Sequence, residues 1–131
     1  MIARRFLRLL LVFGIYKKNY KIVYTGEMSS LNSVWSSKHW SVRQSITQKF
    51  HKIFDVLLLQ AKMQPMKEMC IVLFYNSRLD CDNTSIAAKV LADTIKERYI
   101  KDDRTEFYKG LALVFDPKLP KNTYEFNILA L

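Results

Sequence analysis

Residues 69–99, MCIVLFYNSRLDCDNTSIAAKVLADTIKERY, decide how this chain folds. The run opens with MCIVLFY at 69–75, an unbroken apolar stretch of strand length that follows Pro65. A strand without polar alternation suits a central position with both faces covered. A loop carrying acids follows at 76–83. Ala88, Leu91 and Ile95 then recur at helical steps, which predicts a helix over residues 86–99 with Thr84 or Ser85 as its cap. Lys101-Asp102-Asp103-Arg104 is a charged turn beyond it.

Downstream, residues 107–115 and 123–129 read as two strands joined by DPKLPKN, whose prolines mark the bends. In the last strand Tyr124, Phe126 and Ile128 alternate with Glu125 and Asn127, which predicts one buried and one wetter face. Upstream, YKIVYT at 20–25 reads as a strand closed by Gly26. A Ser- and aromatic-rich loop leads from it to a helix over 42–61, with Val42, Ile46, Phe50, Ile53, Leu57 and Ala61 on one face. Arg43, Lys49 and Lys52 fall off that stripe, so the exposed side is expected to be basic, and His51 reads as a solvated helix residue. The order β-α-β-α-β-β predicts a single α+β domain, a mixed sheet packed on two helices.

The 131 residues suffice for one domain without staples. Their net charge of +9 is unevenly spread. Residues 1–64 hold eleven Lys and Arg against two acids, whereas residues 65–131 hold ten of each. A basic half beside a half with clustered aspartates suits a polyanionic partner, though solubility alone also accounts for the charge. Cys70 and Cys81 lack a partner at zinc spacing, which favours a reducing compartment. Residues 1–18 begin like a signal peptide, but Arg8 interrupts the apolar run and no small-residue cleavage site follows. They read as a dispensable N-terminal extension to a domain at 19–131, with no membrane role expected. Three unclustered glycines exclude a glycine-rich phosphate loop, and no small-molecule cofactor is expected. Ser29 and Ser30 have no His-acid partners to activate a nucleophile.

Asp80-Cys81-Asp82-Asn83 is the candidate segment for chemistry. In an extended segment, Asp80 and Asp82 would point the same way with α-carbons about 6–7 Å apart. Carboxylates about 4 Å apart repel by roughly 4 kcal/mol at an effective dielectric near 20, and a divalent cation relieves that repulsion. All-oxygen ligands favour Mg²⁺ or Mn²⁺ over zinc. The same string also suits turn chemistry and helix capping, and Lys89 can pair with Asp93 at i,i+4.

Asp80-Cys81-Asp82-Asn83, then Lys89 and Asp93, then Asp102-Asp103, together resemble the RusA-like family of Holliday-junction endodeoxyribonucleases. Ser30-Leu31-Asn32 and His39-Trp40 with Arg43 and Lys49 look like that family's Ser-Asn loop and the basic aromatic entry to its first helix. The resemblance covers about residues 20–129. It departs from the shortest members in placing Lys89 six residues after Asn83 rather than three. It implies metal binding by Asp80, Asp82 and Asp103, with Asp102 as the register alternative to Asp103, and Lys89 beside them at the phosphate. It also implies Mg²⁺- or Mn²⁺-dependent nicking of branched DNA by a homodimer in the cytoplasm of a bacterial or phage-infected cell. The expected DNA contacts are Lys38, His39, Arg43, Lys49, Lys52 and Arg78. The alternative is a recombination accessory that binds junctions without cutting them.

Overall fold

A computed structural model describes residues 4–5, 7–9, 13–28, 40–79, 81–96 and 98–131, without the side chains of Trp40, Val42, Cys81, Asp82 and Asn83. Among the described residues these elements follow in order: β1 (Lys18–Thr25), α1 (Trp40–Gln60), β2 (Met69–Asn76), α2 (Cys81–Lys96), β3 (Tyr108–Phe115) and β4 (Thr123–Ala130). The fold is α+β with the element order and mixed sheet that the sequence predicts. The sheet runs β1-β4-β2-β3. β4 is antiparallel to both its neighbours, while β2 and β3 are parallel.

Period-two alternation sorts each strand onto two faces. On one face, Ile22, Phe126 and Leu73 stand abreast across three strands, as do Tyr20, Ile128 and Ile71. Phe50, Phe54 and Leu58 of α1 and Ala88, Leu91 and Ile95 of α2 are buried in the same core. The fully buried line of α1 is 50-54-58, and Ile46, Ile53, Leu57 and Ala61 flank it. The two helices run side by side in the same direction, since His51 meets Thr94 and Asp55 meets Arg98. His51 is therefore a half-buried bridge rather than a solvated residue. Because the Thr94 hydroxyl donates to the Val90 carbonyl, His51 Nδ1 carries the proton in their 2.6 Å bond.

The opposite face differs from the expected wet surface. β4 lies between β1 and β2, and both of its faces are buried, Glu125 and Asn127 included. Leu7 and Tyr16 pack there against Phe74 and Leu129. Arg4 reaches Asp116 at 3.0 Å and Glu125 at 2.9 Å, with its guanidinium 4.5 Å from the Phe74 ring centroid. Lys21 adds a second cation to Glu125 at 3.2 Å. Segments of residues 4–16 thus cover a sheet face that carries buried charge.

Helix α2 begins earlier than the caps at Thr84 and Ser85 suggest. It starts at Cys81, and Thr84 is buried within it. An acid in the first turn suits the positive end of the helix dipole, so Asp82 favours this start. The helix ends at Lys96, and Ile95 O then accepts from the N–H groups of Arg98 and Tyr99. No described helix is long and apolar enough to cross a membrane.

Candidate functional site

β1, β2 and β3 share a direction, so their carboxyl ends lie at one edge of the molecule. A cavity of about 510 Å³ opens there. Its floor is apolar, made by Met28, Leu79 and Tyr124, with Phe115 at the end of β3 exposing about half of its surface. Its polar rim comes from Glu27, Asn76, Arg78, Lys121 and Asn122.

Local hydrogen bonds fix these loops. Asn76 Nδ2 donates to Leu119 O at 2.7 Å, which ties the end of β2 to the β3–β4 connection. Gly26 N donates to Asn122 O at 2.9 Å, and Asn122 Nδ2 donates to Glu27 Oε1 at 3.2 Å. Gly26 has φ 153°, a conformation that side-chain-bearing residues rarely adopt, so this turn favours glycine. Burial and then the Glu27 charge raise the pKa of Tyr24, keeping its hydroxyl neutral. Arg78 and Lys121 have no carboxylate partner among the described residues.

The sequence-predicted residues fall in different places. Arg78 lines the cavity. Asp80, Lys38 and His39 lie outside the described residues. Cys81 and Asp82 belong to α2, so the backbone at Asp82 is helical rather than extended. Asp82 occupies the first turn of α2, at the cavity end of the helix. Lys49 and Lys52 are exposed on α1 as expected, whereas Arg43 is half-buried with its Nε enclosed and unpaired. Arg43 is thus off the exposed basic face predicted for it.

Asp103 stands elsewhere. It pairs with Lys96 Nζ at 3.7 Å, at the far end of α2. Asp82 and Lys96 lie fourteen helical steps apart, about 21 Å at the ordinary rise. Metal–oxygen bonds of about 2.0–2.6 Å cannot join ligands across that distance. Asp82 and Asp103 therefore do not converge within one chain. Asp102, the register alternative, is held locally. Its carboxyl pKa is lowered by the Asp103 backbone N–H and by Arg104, whose Nε lies 2.9 Å away. Among the described residues, no group of three or more His, Cys, Asp or Glu could hold a metal ion.

Lys89 lies two turns below Asp82 and reaches Asp93 at 4.0 Å, with more than half of its side chain exposed. That is an ordinary i,i+4 surface pair. Lys89→Ala is expected to change folding stability by no more than about 0.5 kcal/mol in urea denaturation. A larger loss would mean that Lys89 has a partner beyond Asp93.

The cavity draws on several separate segments, which is why sequence reasoning found Arg78 but missed Phe115, Lys121 and Glu27. The only signal for Lys121 was its place in DPKLPKN, a loop read for its turns alone. No family model matches the chain, and no curated protein matches it.

Proposed function

We propose that this chain is a metal-dependent endodeoxyribonuclease that nicks branched DNA, with the carboxyl-end edge of the sheet facing the substrate. The observation that carries this reading is the position of the cavity. Two cations without a carboxylate partner among the described residues, Arg78 and Lys121, line it between the end of β2 and the start of α2. Clefts at the carboxyl ends of parallel strands are where open α/β sheets bind ligands. Cations there meet backbone phosphates, and Lys49 and Lys52 add exposed positive charge on α1.

In this reading Asp80 and Asp82 are the carboxylates that would hold Mg²⁺ or Mn²⁺, and Asp103 is not their partner in the same chain. A hard divalent ion would supply a water of lowered pKa and neutralise charge on the phosphodiester. Arg78 and Lys121 would position that phosphate by charge alone. A two-fold pair of chains would present two such edges to a four-way junction. The proposed setting is the cytoplasm of a bacterial or phage-infected cell.

A second reading is favoured by the separation of Asp103 from Asp82: a protein that binds junctions without cutting them. Gel assays with a synthetic four-way junction and a linear duplex, with Mg²⁺ and with excess EDTA, separate the two. The nuclease reading expects junction-selective cutting that needs Mg²⁺. Binding without cutting supports the accessory role, and equal affinity for linear duplex overturns both.

A further inference from the structure

We infer that the carboxyl-end cavity takes one unstacked nucleotide of a single-stranded DNA segment, its base on Phe115 and its phosphate at Arg78 and Lys121. This rests on the DNA reading above but concerns binding, not cutting.

Three observations carry it. The cavity, at about 510 Å³, has the size of a small-ligand site rather than a groove for duplex. Its exposed aromatic is anchored from behind, since Phe115 meets Tyr75 edge-on with centroids 5.9 Å apart. A half-exposed ring on a fixed support offers a stacking surface that needs little reordering on binding. Next, the charges match one phosphodiester. Arg78 and Lys121 supply two positive charges, and Glu27, tied to Asn122, supplies one negative. Two cations at the rim suffice to hold the phosphate of one diester.

A stacked base beside a held phosphate is how proteins bind single strands without reading sequence. The inferred ligand is therefore an unpaired nucleotide, as at the centre of an open junction or at a flap. Fully paired linear duplex would leave the Phe115 ring unused.

Fluorescence anisotropy of a labelled decathymidylate in EDTA tests this without metal or cleavage. Phe115→Ala is expected to weaken binding about tenfold, while Phe115→Trp retains it. An abasic decamer should bind the wild type about as weakly as decathymidylate binds Phe115→Ala. Lys121→Gln should weaken binding and flatten its salt dependence. Unchanged binding by Phe115→Ala, or equal binding of the abasic strand, overturns the inference. A Trp variant as weak as the Ala variant, with thermal melting unchanged, does so too. The two readings fail separately: Phe115-dependent binding without junction cutting sinks only the nuclease. Junction cutting without Phe115-dependent binding sinks only the nucleotide site.

Discussion

Replacing Arg4 with alanine is expected to cost about 2–3 kcal/mol of folding stability at neutral pH. The figure falls between an exposed ion pair, about 0–1 kcal/mol, and a broken buried one, about 3–5 kcal/mol. Arg4 is 37% exposed, but its partners are not, with Asp116 at 2% and Glu125 at 5% by side chain. Removing the guanidinium leaves Asp116 buried without its cation and Glu125 with only Lys21. Lysine at position 4 should recover part of the loss, since one ammonium lacks the fork that now serves both carboxylates.

The effect should depend on pH in a definite direction. Burial alone would raise both carboxyl pKa values, yet both are lowered. For Asp116 the Lys118 backbone N–H and then Arg4 outweigh burial. For Glu125 the hydrogen bonds from Asn127, Arg4 and Lys21 do so. A carboxyl group with a depressed folded pKa stabilises the fold above its unfolded value of about 4, and that contribution is lost as pH falls through the folded value. Wild type and Arg4→Ala should therefore differ most near pH 7 and converge in acid. Urea unfolding at several pH values checks this. A difference below about 0.5 kcal/mol at pH 7 would show Arg4 to be an ordinary surface cation.

These contacts mark the limit of what the chain discloses in one dimension. The strands and helices were legible because their apolar residues keep a period of two or of three to four. Phe50 and Leu57 announce α1, and the unbroken run at 69–75 announces an inner strand. The burial of Glu125 and Asn127 was not legible, because polar residues alternating in a strand look solvent-facing. What covers Glu125 is Arg4, 121 residues earlier. The start of α2 is not legible because Thr84 and Ser85 are good caps in isolation, whereas Asp82 already suits the first turn. The cavity was invisible because Glu27, Arg78, Phe115 and Lys121 meet only once the sheet is assembled. The order Asp82, Lys89, Asp93, Asp103 matched a pattern along the chain, but order does not say which end of a helix a residue occupies.

Asp82 and Asp103 therefore give the central claim its sharpest test. If the functional edge is the carboxyl end of the sheet, Asp82→Asn should lower Mg²⁺-dependent cutting of a four-way junction at least about a hundredfold, with junction binding retained. Asp103→Asn should lose only its pairing with Lys96, a surface contact, and cut at close to the wild-type rate. The measurement is the single-turnover cutting rate of both variants beside the wild type, with binding followed in EDTA. A collapsed rate for Asp82→Asn and a near-normal one for Asp103→Asn is the predicted result. Equal collapse in both, or full activity in Asp82→Asn, would contradict it.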